Sequence, residues 1–115
     1  MDHPNCQWLH EIINSPFEDH LHLVTEFHAN GSIADLIEKE NEDENMSRSG
    51  RGSISNGLKN STCRSFMIDL LKALHYCHNK VKITHRDIKP ENIMINHNNE
   101  AVLINFGLSA LLKDK

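Results

Sequence analysis

The sequence is short of positive charge, of aromatic residues, of cysteine and of long apolar runs. Lys plus Arg number 12 against 16 Asp plus Glu, a formal charge of −4. That balance excludes a chain held to nucleic acid or to a membrane surface by bulk charge, so neither is expected as a partner. No apolar run approaches the roughly 18 residues of a membrane span. The start, Met1-Asp2-His3-Pro4-Asn5, has neither a basic end nor an apolar stretch, so no signal peptide is expected. Three cysteines (Cys6, Cys63, Cys77) at wide, irregular spacing make neither a disulfide framework nor a CxxC zinc pattern. Free thiols in a reducing compartment follow, and the expected location is cytoplasmic. Of nine histidines, only His20/His22 and His75/His78 stand close together, without a matching second pair, so they read as surface or packing residues. Aromatics are 5% and apolar residues 38% of 115. The apolar residues are clustered, so the low average mixes a packed part with a polar part.

Residues 6–13 form a short apolar stretch, and Asn14-Ser15-Pro16-Phe17-Glu18-Asp19 is turn chemistry. Residues 20–27 then alternate, with Leu21 and Leu23 on one side, which predicts a β-hairpin. After Asn30-Gly31, Ser32 is placed to cap a short helix with Ile33, Leu36 and Ile37 on its apolar side. Residues 38–44 carry five acids, and between Glu40 and Gly57 only Met46 and Ile54 are large and apolar. Such a stretch buries too little to offset its ordering entropy and reads as a flexible, solvated insertion. Ser49 and Ser53 beside Arg48 and Arg51 offer phosphorylation sites within it.

From about Ser61 the spacing predicts a long helix. Phe66, Leu70, Leu74 and Cys77 share a face that Met67 and Leu71 widen. Asn60 or Ser61 is its expected cap, and its end is expected near Asn79-Lys80. Residues 93–95 and 101–104 read as a second hairpin around Asn96-His97-Asn98-Asn99.

Two polar clusters interrupt this apolar pattern. One is His85-Arg86-Asp87-Ile88-Lys89-Pro90-Glu91-Asn92; the other is Asn105-Phe106-Gly107, just after a strand. The first resembles the protein-kinase catalytic loop, H-R-D-x-x-x-x-N. The flanks agree: a long amphipathic helix before, a hairpin after, then a motif ending Phe-Gly. His3-Pro4-Asn5 resembles the turn before the fourth small-lobe strand, and Val24-Thr25-Glu26-Phe27 resembles the fifth strand entering the hinge. Lys89-Pro90-Glu91 resembles the serine/threonine class. The resemblance implies an α+β chain forming part of a eukaryotic-type serine/threonine protein kinase domain. Residues 1–39 would be the end of the small lobe, the hinge and a first large-lobe helix. Residues 40–60 would be the polar insertion. Residues 61–115 would carry the large-lobe helix, catalytic loop, hairpin and start of the activation segment.

The resemblance also implies roles. Asp87 would take the substrate hydroxyl proton, Lys89 would place a cation by the transferring phosphoryl group, and Asn92 would offer an oxygen to magnesium. Arg86 would pair with a phosphorylated activation loop. His85, Phe106 and Leu9 would pack in one internal column. Thr25 takes the gatekeeper position, the backbone at Glu26 and His28 the adenine-pairing edge, and Met94 the place under the adenine. The implied cofactors are ATP and Mg²⁺, and the implied partner is a protein substrate.

One residue departs from the pattern. Asn105 stands where kinases carry the metal-binding Asp of D-F-G, so it offers magnesium an amide oxygen without charge, and weakened metal binding is expected. The alternative this raises is a pseudokinase that binds nucleotide or scaffolds. A third reading, a histidine-containing interaction or metal module, would require residues 85–92 to be accidental. The family's glycine-rich loop, strand lysine and paired helix glutamate would precede residue 1, and its A-P-E motif would follow residue 115. The apolar face of Phe66, Leu70 and Leu74 would then be left bare. Gly50–Ser55 and Gly52–Gly57 mimic phosphate loops, but the first lacks flanking strands and the second has Leu58 where Lys is required.

Overall fold

Alternation on either side of a proline turn produces the first pair of strands. In the computed structural model, which describes residues 1–46 and 57–113, β1 (Leu9–Asn14) runs antiparallel to β2 (Leu21–Thr25). Ser15 holds the turn. Its carbonyl accepts from Glu18 N–H and its hydroxyl from Phe17 N–H, both at 3.3 Å. β1 starts later than the apolar stretch does, because Cys6 leaves it to bridge Leu103. Gln7 N–H donates to the Leu103 carbonyl at 2.9 Å, and Leu103 N–H to the Asn5 carbonyl at 2.8 Å. The segment before the hairpin is thereby tied to the far end of the chain.

Neither face of this hairpin is covered by another described element. Ile12 is 56% and Leu23 58% exposed. Leu9, expected in a column with His85 and Phe106, is 40% exposed at the head of β1 instead.

Gly31, with φ of +74°, turns the chain into α1 (Ile33–Met46). Ser32 caps it as expected: its hydroxyl accepts from Asp35 N–H at 3.1 Å, while Asp35 Oδ2 accepts from Ser32 N–H at 2.7 Å. The helix then runs through Glu40 to Met46, where a loop was expected. Glu and Lys are good helix formers, and Lys39 stands four residues from both Asp35 and Asp43. Scarcity of apolar residues excludes burial there, not helicity. Ser49, Ser53, their arginines and the loop-like glycine motifs of residues 50–56 lie outside the described residues.

The helix α2 (Asn60–Tyr76) begins one residue before Ser61. Asn60 is inside it, and Lys59 occupies the cap position without a side-chain bond. Phe66, Asp69 and Ala73 are buried along it, followed by Cys77 in a wider helical turn, Cys77–Val81. Lys82, at φ of 60°, ends that turn. The buried line is rotated from the expected one. Leu70 and Leu74 are half-buried against the core, and the bare residues are Met67 and Leu71, at 54% and 57% exposure.

The rotation follows from what α2 packs on. β4 (Ile93–Ile95) and β5 (Ala101–Leu103) form the expected hairpin, and the small residues Ala73, Cys77 and Ala101 lie where helix and hairpin meet. Asp69 Oδ2 accepts from Ala101 N–H at 3.2 Å across the same interface. Cys6, Phe66, Ile93, Ile95 and Leu103 complete the core. A last pair was not expected: β3 (Ile83–Thr84) runs antiparallel to β6 (Ala110–Leu111). Among the described residues no helix is long and apolar enough to cross a membrane.

Candidate active site

The β3–β6 ladder sets the site's geometry. Residues 85–92 leave β3, and Asn105 follows β5 by two residues, with β6 closing the path back to β3. Leu112 N–H adds a 2.7 Å bond to the Lys82 carbonyl. The two polar clusters, some twenty residues apart in sequence, are thus held side by side.

His85 anchors the loop. It is 1% exposed, its Nε2 donates to the Ile104 carbonyl at 2.8 Å, and its Nδ1 accepts from Asp87 N–H at 3.2 Å. Both ring nitrogens are therefore committed to main-chain partners. Phe106 meets the ring edge-on at 4.9 Å between centroids. The Ile104 backbone works twice, since its N–H also donates to the Asn92 carbonyl at 3.0 Å. Side-chain patterns carried no sign of this residue, because both contacts are made by its main chain.

Asp87, Lys89, Asn92 and Asn105 come together in one connected cluster. Lys89 Nζ is 3.1 Å from Asp87 Oδ2. Asn92 Nδ2 donates to the same Oδ2 at 2.8 Å and to the Asp87 carbonyl at 2.9 Å. The Lys89 ammonium, then the Asn92 amide, hold the Asp87 carboxyl below its usual range, with partial burial opposing them. Asn105, at φ of 62°, extends its Nδ2 to Asn92 Oδ1 at 3.3 Å. Arg86, also left-handed at φ of 69°, is exposed, and its Nε donates to the Leu108 carbonyl just past Gly107.

The expected nucleotide residues lie at the end of β2, just after it, and in β4. Thr25 Oγ1 accepts from Gln7 Nε2 at 3.0 Å, and Glu26 Oε1 from Trp8 N–H at 2.9 Å. His28 is buried, and its carbonyl accepts from Gly31 N–H at 3.2 Å. Met94, half-buried in β4, bridges Ser32, and Ile95 N–H donates to the Gly31 carbonyl at 2.9 Å. The segment at Gly31 and Ser32 is thereby fastened to β4, the strand that follows Asn92.

The magnesium that the resemblance implies would have to find its oxygens among these donors. A hard divalent cation seeks several converging oxygens. Here Asn92 Oδ1 already faces an amide donor from Asn105, and Asp87 Oδ2 is shared by an ammonium and an amide. As arranged, the side chains of residues 92 and 105 do not present two oxygens to one cation, and the ion does not fit. Among the described residues there is also no group of three or more His, Cys, Asp or Glu placed to hold a metal.

Comparison with known proteins bears on the whole chain. The family model described as protein kinase domain matches residues 1–115. A serine/threonine-protein kinase of Schizosaccharomyces pombe, ppk34, is 32% identical over 112 residues, covering 97% of this chain and 28% of that protein. CBL-interacting serine/threonine-protein kinase 20 of Arabidopsis thaliana is 30% identical over 113 residues, covering 98% of this chain and 21% of that protein. The chain thus spans less than a third of either relative. A match along all of its length, together with these relatives, shows that this chain belongs to the protein kinase domain family, on its serine/threonine side.

Proposed function

We propose that the chain is the hinge-to-activation-segment part of a protein kinase that transfers the γ-phosphate of ATP to serine or threonine hydroxyls of proteins. The observation that carries this is the cluster of Asp87, Lys89 and Asn92 on one loop, with residue 105 brought against it. In this reading the adenine lies between the hinge backbone at Glu26 and His28 and the Met94 side chain, with Thr25 behind it. Asp87 orients the acceptor hydroxyl. As the oxygen bonds to phosphorus and the bond to the β-phosphate oxygen breaks, the hydroxyl proton passes to Asp87. A carboxyl held below its usual range is a weak proton acceptor, which suits a loose phosphoryl-transfer transition state where orientation matters most. Lys89, fixed by Asp87, places positive charge at the transferring group. Arg86 receives an activation-segment phosphate with the guanidinium nitrogens that Leu108 leaves free. The magnesium of the family is not part of this account. Free cysteines at 6, 63 and 77 suit a reducing, cytoplasmic setting.

The Asn105 amide facing Asn92 favours a second reading, a nucleotide-binding module with little or no turnover. One experiment serves both: the protein carrying this chain is assayed for ATP-induced thermal shift and for phosphate transfer to a serine/threonine peptide. Transfer abolished by Asp87→Asn and raised by Asn105→Asp supports the kinase reading. A thermal shift without transfer in either form supports the module. No shift and no transfer overturns both.

A further inference from the structure

The orientation of one amide decides what residue 105 does. Asn92 Nδ2 faces two oxygens of Asp87, the carbonyl at 2.9 Å and Oδ2 at 2.8 Å. Both are acceptors, so the Asn92 amide cannot be turned over without setting oxygen against oxygen. Its Oδ1 is therefore committed to the opposite side, where the Asn105 Nδ2 stands at 3.3 Å. Asn105 has in turn directed its own Oδ1 toward Gly107, 3.4 Å from where a β-carbon there would lie. Its backbone, at φ of 62°, is in the left-handed region that Asn tolerates better than most residues. Lys89, Asp87, Asn92 and Asn105 thus form a single polarised chain, each donor meeting an acceptor.

We propose that the Asn105 amide takes the place of a divalent cation. Its N–H satisfies Asn92 Oδ1, so that this pair of residues is not a metal site, and Asn105 is a positioning residue for Asn92. A carboxylate at 105 could not do this. It would face Asn92 Oδ1 with oxygen, an arrangement that a cation between them would stabilise. The choice between amide and carboxylate at one position therefore switches the neighbouring oxygen between a hydrogen bond and a metal. The inference deepens the kinase reading above, yet its test uses no nucleotide and no phosphate transfer, so either can fail alone.

The test is a Mn²⁺ titration of the chain, followed by electron paramagnetic resonance and by the side-chain amide NMR signals of Asn92 and Asn105. In the unaltered chain, no saturable binding and no selective broadening of those two signals is expected. Asn105→Asp should gain a site at least roughly tenfold tighter. Asn105→Gly, which accepts the left-handed backbone, should shift the Asn92 amide signals while leaving Mn²⁺ unbound. Saturable binding in the unaltered chain with broadening of both amides would overturn the proposal. So would a folded Asn105→Asp that binds no better, or unmoved Asn92 signals in Asn105→Gly.

Discussion

Lys89 Nζ and Asp87 Oδ2 stand 3.1 Å apart, and the carboxylate that the ammonium holds is also gripped by the Asn92 amide. The pair is partly exposed, so its importance is positional rather than energetic. Its main mark is on titration. Asp87 is held below its ordinary value of 3.8, first by the Lys89 hydrogen bond. A carboxyl so depressed contributes stabilisation that is present above 3.8 and fades as pH falls through its folded value. Replacing Lys89 by Met should move the Asp87 midpoint up toward 3.8 and narrow that acid window. Carboxyl carbon NMR across pH 2–6, a range chosen to span roughly two units either side of a free carboxyl, reads it directly. Identical midpoints in the two proteins would count against the pair.

Asp69, on the buried line of α2, makes a structural counterpart. Its Oδ2 accepts from the buried Ala101 N–H at 3.2 Å, while its ion pair to Lys72, at 3.6 Å, faces solvent. Asp69→Ala leaves a buried donor without an acceptor and should cost about 1–3 kcal/mol in urea unfolding. Asp69→Asn keeps an oxygen in place and should cost clearly less. Lys72→Ala should change stability by under about 1 kcal/mol. Equal losses for Asp69→Ala and Lys72→Ala would show that the ion pair, not the backbone bond, is what matters.

Much of this was legible in the residues. The alternation around Pro16 announces the first hairpin by its period of two, and the spacing of Phe66 and Cys77 with the short apolar runs at 93–95 and 101–104 announces α2 and the second hairpin, which bury their apolar sides against each other. The eight residues from His85 announce the loop, since they match the family's H-R-D-x-x-x-x-N pattern. What was not legible depended on partners. The rotation that buries Ala73 and bares Met67 is set by the β4–β5 surface, not by α2 itself. The reach of α1 to Met46 rests on helix propensity, which burial reasoning ignores. The β3–β6 ladder involves strands of two residues, too short for any periodicity. At Asn105 the residue's departure from Asp was plain, but the direction of its donor emerges only once Asp87 has fixed Asn92.

The turn at Gly31 into α1 invites a paired substitution. A β-carbon on Gly31 would lie 2.8 Å from Asp35 Oδ2, and the residue's φ is +74°. Gly31→Ala should therefore lose about 1–2 kcal/mol from the left-handed backbone alone. It should also push Asp35 off the Ser32 N–H. Ser32→Ala removes only the hydroxyl cap and should cost about 1 kcal/mol. Asp35 titrates below 3.8 chiefly because of that N–H, so its midpoint should rise further in Gly31→Ala than in Ser32→Ala. Thermal unfolding and carboxyl NMR together check the order. The reverse order would mean that the cap hydroxyl, not the glycine, governs this turn.

The three thiols should report whether the segment before β1 stays docked. Cys6 and Cys77 face each other at 3.9 Å between sulfurs, in the core at the end of α2, whereas Cys63 is exposed. Burial pushes the Cys6 thiol up to about 12 and raises Cys77 as well. Since the thiolate is the reactive form, alkylation of either should be negligible at neutral pH while Cys63 reacts freely. Iodoacetamide followed by mass spectrometry should label Cys63 alone in the folded chain and all three in denaturant. Replacing Asn5, whose Nδ2 donates to the Ala101 carbonyl at 2.9 Å, by Ala should loosen the segment and speed labelling of Cys6. Because Cys77 lies in the helical turn and not in the moving segment, its labelling should rise only as far as the departure of Cys6 uncovers it. Cys6 reacting as fast as Cys63 in the unaltered chain would mean that the contact between residues 5–7 and β5 does not hold in solution.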